Sequence, residues 1–515
     1  MLEAALTSLS TIVVLGVGFA LTAYGYHKFY KWLVIYKIEK AFKPGDPVLA
    51  MAAMGKKQGD PGSIDIKQLN QEDHWIPRDE QAKIDAIIDG TDRGHYHLII
   101  GEKGTGKSSM LIDAMSKVDG EGISMMEAHA DLEIFRVRLG KAIDFEFHED
   151  YIGSYFSEKG PRDSTALLDI ERAFNKLEKV AMKRRSEVGR PLVLIINSTH
   201  LLRDDDDGRN LLELLQQRAE QWAAANLATI VFNSDEYWIY ERLKQLATRM
   251  EVTSITDLPK TQAMDALAKY RNKYFRQQPP PSQECLEEIY DKVGGRLTFL
   301  NRVARSPDMI ATCDNIIAGE KTWFLNQCWI LGMEMDDDVM DQQKYASAAM
   351  VLAKALVDAE DEADKDEDDN EEKHESAPLT VAVPGPEAPA SDDTDTPKAS
   401  EEVASYRLPA FPLHTARYIM TRADFIQMYD QKNIFTITSS ALVRADSVPM
   451  QRAFREICTE EGFDERLEAT LQRISDIESL GRTRELVAKD LVNGGRYIFG
   501  KKGIELVMPP EEEGK

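Results

Sequence analysis

The chain has 515 residues, a formal net charge of −25 and 43% hydrophobic residues. That length and apolar content suit roughly two or three domains with substantial cores. The negative balance argues against general nucleic-acid binding, which needs a basic face for the phosphates. The cysteines, Cys285, Cys313, Cys328 and Cys458, have neither metal-site nor redox-pair spacing and read as thiols in a reducing compartment.

The first predicted element is Ala4 to Tyr26, an apolar run without a charged residue. It reaches the ~20 residues that span a bilayer. Lys28, Lys31, Lys37, Lys40 and Lys43 follow it, with Tyr24, Tyr26, Phe29, Tyr30 and Trp32 at the boundary. Aromatic residues and lysines on that side put the C-terminal bulk on the positive side of a membrane. A cleaved signal peptide has its positive charge before the apolar run, so residues 1–45 read as an uncleaved anchor with a basic flank. The competing reading is a buried core helix. Residues 27–43 resemble the internal targeting signal of mitochondrial inner-membrane AAA proteins. An endoplasmic-reticulum anchor facing the cytosol has the same local pattern.

Residues 46–69 are rich in Gly, Pro and polar residues and read as a linker. A nucleotide-binding domain is expected over 70–260. It opens on His74-Trp75-Ile76-Pro77-Arg78, ahead of helical spacing at Ile84, Ile87 and Ile88. Pro77 suits the first turn of that helix. The apolar Leu98, Ile99 and Ile100 then lead into Gly101-Glu102-Lys103-Gly104-Thr105-Gly106-Lys107-Ser108-Ser109, a complete P-loop pattern. The glycines let backbone N–H groups turn toward phosphate oxygens. Lys107 is the group for the β- and γ-phosphates, Ser108 carries the hydroxyl for Mg²⁺, and the helix from about Lys107 adds its positive end. ATP and Mg²⁺ are therefore the expected ligands. No Asn-Lys-x-Asp guanine-reading motif occurs, which favours ATP over GTP.

Strands follow at Ile123–Met126 and Pro191–Ile196, with helices over Leu132–Ile143 and Ala166–Arg185 between them. The second strand ends in Asn197-Ser198-Thr199-His200. Asp204 to Asp207 lie just beyond, either lending a carboxylate to the site or forming a solvated loop and helix start, where acids suit the dipole. A helix over Leu211–Ala224 precedes strand Ala228–Phe232, which ends in Asn233-Ser234-Asp235; a helix over Tyr240–Leu246 leads to Arg249 and strand Met250–Ile255. A lid is expected over 261–335, with helices at Thr261–Phe275, Cys285–Val293 and after Gly294-Gly295-Arg296.

From about 70 to 335 the chain resembles the AAA+ superfamily. The resemblance implies an adenine-side role for Ile76 and Arg78, a sensor-1 role for Asn233, a role on a neighbouring subunit's nucleotide for Arg249, and a sensor-2 role for Arg296. A solvated arginine is the other reading of Arg249. It also marks a departure. Asn197 stands where the Mg²⁺-orienting Asp of Walker B belongs, and Ser198 where the water-activating Glu belongs. A neutral Asn keeps hydrogen bonding but not charge, and a Ser is no general base near neutral pH without its own activator.

Asp358 to Glu375 holds twelve acids against two lysines, and Pro, Ala, Ser and Thr follow to about Ser400. After a helix, residues 336–405 therefore read as an acidic disordered linker. Over 406–515, helices are expected at Thr421–Tyr429, Val448–Glu460 and Arg466–Leu480, and a strand at Ile434–Thr438. Leu486–Lys489 is expected to pair with Tyr497–Phe499 across Asn493-Gly494-Gly495. This resembles a winged helix. Its helix before the hairpin carries Asp464, Glu465, Glu468, Asp476 and Glu478, which repel phosphate, so a protein-interaction domain is favoured over DNA contact through Arg496, Lys501 and Lys502.

The fold expected is α/β: a P-loop parallel sheet of AAA+ type with a helical lid, an N-terminal transmembrane helix and a winged-helix-like α+β domain. As a whole the chain is similar to fungal membrane-anchored AAA-type proteins, distantly including the mitochondrial escape ATPases. That resemblance implies an oligomeric ATPase that remodels protein partners. An ATP-gated scaffold without hydrolysis is the second reading, and a membrane-tethered nucleic-acid ATPase the third.

Overall fold

Five short strands, β1 (Tyr96–Ile100), β2 (Ile123–Glu127), β3 (Leu192–Asn197), β4 (Ala228–Ser234) and β5 (Met250–Ser254), form an all-parallel sheet in the order β2-β3-β4-β1-β5. The structure, a computed structural model, describes residues 2–57, 76–145, 165–275, 279–375, 408–492, 496–500 and 503–507. Strands β1, β3 and β4 are buried along their whole length. A parallel sheet covered on both faces demands this, and it explains why these segments read as apolar runs rather than alternating ones. Crossover helices join the strands: α4 (Lys107–Lys117), α5 (Leu132–Ala142) and α6 (Ala166–Val188), α7 (Asp206–Ala225) and α8 (Tyr237–Leu246). One core layer is built on Phe174, Leu194, Trp222 and Phe232. The other is built on Ile84, Ile99, Leu111, Ile195 and Val231, with α3 (Glu80–Ile88) packed against α4.

Chain contacts divide the protein into two units. The first spans Met1–Glu287, Gly295–Pro307 and Thr436–Ser440, and so holds the sheet with α9 (Lys260–Tyr274) and α11 (Leu297–Arg305). The second spans Glu288–Gly294, Asp308–Phe435 and Ala441–Lys515. The stretch expected as one lid over 261–335 is thus shared between the units, and α10 (Gln283–Val293) crosses the division.

The N-terminal helix α1 (Leu2–Ala41) runs unbroken through the apolar segment and the basic flank. Its Leu9–Ala41 stretch is long and apolar enough to cross a membrane. Ile12, Val14, Leu15, Phe19 and Leu21 are all exposed. At its other end Val34, Ile38 and Phe42 are buried in the core of the first unit, and Glu39 Oε2 lies 2.8 Å from Lys183 Nζ on α6. The linker expected from residue 46 begins as a helix, α2 (Pro47–Lys57). His74 and Trp75 lie outside the described residues.

In the second unit, α12 (Met309–Cys328), α13 (Met340–Glu375), α16 (Val448–Cys458) and α17 (Phe463–Val492) surround an aromatic core. Ring centroids of Phe324 and Phe454 lie 4.7 Å apart, those of Phe435 and Phe454 5.2 Å, and those of Tyr345 and Tyr429 4.6 Å. A small sheet orders β6 (Ala410–Pro412), β8 (Leu442–Ala445) and β7 (Phe435–Ile437), of which Thr436 and Ile437 are counted with the first unit.

Three expectations are corrected here. The acidic run from Asp358 is helical as far as Glu375. Its Glu360 is buried, accepting a hydrogen bond from Gln451 Nε2 at 2.9 Å and pairing with Arg455 at 3.2 Å, so a partnered acid anchors a stretch whose composition suggested solvent. The helix expected at Thr421–Tyr429 begins later, as a 3-10 turn (Ala423–Phe425) and α15 (Ile426–Gln431), and a further helix, α14 (Leu413–Met420), precedes it. Between them Thr421 adopts a left-handed φ of 57° that ends α14. Leu486–Lys489 is no strand: it continues α17, because Glu485, Leu486, Ala488, Lys489 and Leu491 are good helix formers and the run has no period-two alternation. The hairpin lies one strand later. β9 (Arg496–Gly500) pairs antiparallel with β10 (Gly503–Val507), matching Tyr497 with Leu506 and Phe499 with Ile504. Residues 376–407, Asn493–Gly495, Lys501 and Lys502 lie outside the described residues.

Candidate nucleotide site

The site forms where β1 ends, because neighbouring connections leave that point in opposite directions. β4 sits between β1 and β3, so the tips of all three strands meet there. Gly101 follows β1 under steric duress: a Cβ on it would lie 2.0 Å from the Ile255 carbonyl oxygen. Gly104 (φ 88°) and Gly106 (φ 103°) curl the loop in conformations that side chains avoid. A Cβ on Gly104 would strike Thr298, and one on Gly106 would touch Leu297. The start of α11 therefore packs directly on the loop.

Lys107, at the first turn of α4, is 4% exposed. Its Nζ donates to the carbonyls of Gly101 (2.8 Å) and Glu102 (2.7 Å) and lies 2.9 Å from Asp235 Oδ1. Thr105 is buried and its hydroxyl donates to Glu102 O at 2.9 Å, bracing the loop from within. Lys103 and Ser109 face outward. Arg78 supports the loop from behind: its guanidinium donates to Thr105 O at 2.9 Å and Thr256 O at 2.8 Å. Burial pushes its pKa down, against the raising effect of Glu80 and Asp257. Ile76 is buried beside it in the chain.

The strand tips contribute a polar triangle. Ser108 Oγ donates to Asn197 Oδ1 at 3.0 Å, and Asn233 Nδ2 donates to the same Oδ1 at 2.5 Å and to Ser108 Oγ at 3.1 Å. Asn233 Oδ1 is buried without a hydrogen-bond partner. The sequence brought Ser108, Asn197 and Asn233 forward separately, and the fold unites them. Ser198 follows Asn197 with a left-handed φ of 53° and leads into a 3-10 turn, Thr199–Leu201.

Two residues that sequence reasoning passed over complete the cluster. His200 Nδ1 accepts from the Asp235 backbone N–H at 3.2 Å. The neutral ring then carries its proton on Nε2, which faces Asp235 Oδ2 at 3.8 Å. Burial pushes the His200 pKa down; Asp235 opposes this, and Lys107 and Lys103 add to it. Asp235 is thus the carboxylate of this site. Glu236 beside it has its pKa raised to about 7, chiefly by burial, with the Trp238 side chain opposing and Asp235 reinforcing. The signal in the sequence is the adjacent acid pair right after Asn233.

Arg296 directly precedes the start of α11, which packs on the loop. It is buried and held by Asp257, Nε to Oδ1 at 3.2 Å and a terminal nitrogen to Oδ2 at 3.3 Å. Arg249 is exposed at the start of β5, the end of the sheet opposite the P-loop. Asp204 pairs with Arg209 and Arg242, and Asp205 caps α7 through Gly208 N at 2.8 Å, so this acidic run serves its own loop and helix.

The residues fit a nucleotide and its metal ion. Gly101, Gly104 and Gly106 form a loop that no side chain could occupy, Lys107 supplies the cation, and Ser108 Oγ and Asn197 Oδ1 supply hard oxygens for Mg²⁺.

Sheet order and loop define a P-loop ATPase fold. Residues 74–231 match the family model of the AAA ATPase domain. Residues 326–478 match that of the fungal AAA protein C-terminal winged helix domain, which takes in the β6–β8–β7 sheet and ends before β9. No curated protein matches the chain. Among solved structures, the Walker-type ATPase paby2304 of Pyrococcus abyssi is 12% identical with a TM-score of 0.44, covering 76% of this chain and 99% of its own. Cdc6p from Pyrobaculum aerophilum is 11% identical with a TM-score of 0.32, covering 79% and 97%. The replication initiator DnaA, bound to AMPPCP and single-stranded DNA, is 11% identical with a TM-score of 0.30, covering 55% and 82%.

Proposed function

We propose that this chain is a membrane-anchored AAA+-type protein that binds ATP with Mg²⁺, works as a homo-oligomer and couples its nucleotide state to the assembly or remodelling of protein partners. The observation that carries the reading is the cluster of Lys107, Asp235, Ser108, Asn197 and Asn233 around the P-loop. Bound ATP with Mg²⁺ supplies a phosphoanhydride whose terminal phosphoryl group is open to attack by water. The chain's own contribution is positional. Lys107 leaves Asp235 for the phosphates, the loop N–H groups and the start of α4 hold their oxygens, and Ser108 and Asn197 turn oxygens toward the metal ion. Asp235 and Glu236 are the acids at hand for orienting water.

A second reading, an ATP-gated scaffold with little or no hydrolysis, is favoured by one specific feature. The tip of β3 offers the neutral Asn197 and Ser198 where charge would be needed most. The anchor rests on the apolar, exposed stretch of α1, and the basic flank at 27–43 suits the mitochondrial inner membrane, with the endoplasmic reticulum as the alternative. Oligomerisation is supported by Arg249, exposed at the far end of the sheet from its own P-loop, where it suits a neighbour's nucleotide. The acids of α17 disfavour nucleic acid as partner.

The test uses the full chain in detergent, measuring ATP binding and steady-state turnover beside Lys107→Ala. Micromolar binding lost in the variant supports the nucleotide site, and equal binding by both sinks it. Turnover abolished by the substitution supports the ATPase. Binding without turnover, at concentrations that favour oligomers, leaves the scaffold.

A further inference from the structure

A second cluster lies at the opposite end of the sheet, away from every residue of the nucleotide site. Asp92 and His95 come from the turn before β1, His97 from β1 and Glu251 from β5. His97 pairs in register with Glu251, so both side chains share one face of the sheet, and His95, two residues earlier, returns to that face. Asp92 closes the group from the turn. His95 Nδ1 lies 3.7 Å from Asp92 Oδ1 and 3.6 Å from Glu251 Oε1, and His97 Nε2 lies 3.9 Å from Asp92 Oδ2. These separations are too long for hydrogen bonds. The two at His95 are close to the ~3.3–3.6 Å edge of a tetrahedron with zinc-type bonds of about 2.0–2.2 Å, and the one at His97 is wider.

The histidines give the independent sign of a ligand. His97 is fully buried, and neither ring nitrogen has a hydrogen-bond partner; His95 Nδ1 is also buried without one. Buried ring nitrogens are normally satisfied, and His95 Nδ1 faces carboxylate oxygens across a gap that an ion would fill. Asp92, His95 and Glu251 each offer one ligand atom within 4.8 Å of the others. The remaining Glu251 oxygen is 3.2 Å from Lys83 Nζ, which holds the carboxylate in place as an outer partner does.

We propose that Asp92, His95 and Glu251 form a site for a divalent transition-metal ion of the zinc class, backed by the buried His97 behind the Asp92 carboxylate and joining strand β1 to edge strand β5. Two carboxylates balance a dication, and the His95 imidazole adds a nitrogen donor. The mixed nitrogen and oxygen donors suit Zn²⁺, whereas Mg²⁺ and Ca²⁺ take oxygen alone. The site is separate from ATP binding.

The experiment uses the full chain in detergent, incubated with Zn²⁺, desalted and counted for metal, with Co²⁺ as a spectroscopic probe of coordination. The expected result is about one Zn²⁺ retained per chain, a Co²⁺ spectrum of four- or five-coordinate type, and an unfolding midpoint raised several degrees by Zn²⁺. His95→Ala and Asp92→Asn, both at partly exposed positions, should each weaken retention at least tenfold while ATP binding stays intact. A wild-type chain that retains no metal overturns the proposal, as does equal retention by His95→Ala.

Discussion

The carboxylate of the nucleotide site comes from the tip of β4 rather than β3. Asp235 holds the Lys107 ammonium at 2.9 Å and so competes with phosphate for it. Asp235→Asn removes that competition. In Mg²⁺-free equilibrium binding it should bind ATP about fivefold more tightly, the ~1 kcal/mol of a partly exposed ion pair; unchanged or weaker binding would show that Asp235 does not restrain the lysine. Asn197→Asp acts on the metal side. It restores a charge 3.0 Å from Ser108 Oγ while keeping the acceptor that Asn233 uses. Its Mg²⁺ requirement for ATP binding should fall by about tenfold in a titration. Glu236 adds a pH dependence. Its folded pKa of about 7 lies above the ordinary 4.5, so the folded protein holds a proton there that the unfolded chain has released. Stability from this group is therefore present below 4.5 and lost as pH rises toward 7. Glu236→Gln should flatten the fall in denaturation midpoint across that window, and parallel curves for the two proteins would refute the assignment.

At the scale of elements, the site depends on β1 and the segment after β5 coming together so closely that only glycine fits. The Ile255 N–H donates to Ile100 O at 2.8 Å, which draws the Ile255 carbonyl over Gly101. Gly101→Ala must push backbone against backbone. It should cost about 1–3 kcal/mol or more in stability, with ATP binding falling in step, and urea denaturation of the purified chain measures it. The same closeness links the loop to α11 through Thr298 on Gly104 and Leu297 on Gly106. Arg296, one residue earlier, is taken by Asp257 and fixes the start of α11. Asp257, which holds its guanidinium, lies 39 residues away in sequence.

For the whole molecule, the consequential feature is that α1 is both a candidate membrane span and a core element. Its exposed apolar stretch passes without a break into Val34, Ile38 and Phe42, which the first unit buries. A span joined in this way would hold the nucleotide-binding unit in a set orientation rather than on a loose tether. Ile38→Ala should destabilise the unit by about 2–5 kcal/mol, read by denaturation of the detergent-solubilised chain. A change within error would mean that the end of the helix is not part of that core.

The sequence by itself determined what depends on local pattern. The P-loop, the buried strands and the apolar helix are each carried by contiguous residues whose spacing has one physical meaning. The departure at Asn197 and Ser198 was legible for the same reason. The run Leu486–Lys489 misled because short apolar groups do not distinguish a helix end from a strand without alternation. The tertiary structure alone decided what depends on strand order. Inserting β4 between β1 and β3 brings Asp235 to Lys107 and Asn233 to Asn197. Pairing β5 with β1 brings Glu251 to His95 and His97. Those partners are far apart in sequence, and only the buried sheet, which packs its strands in one order, sets which charges meet.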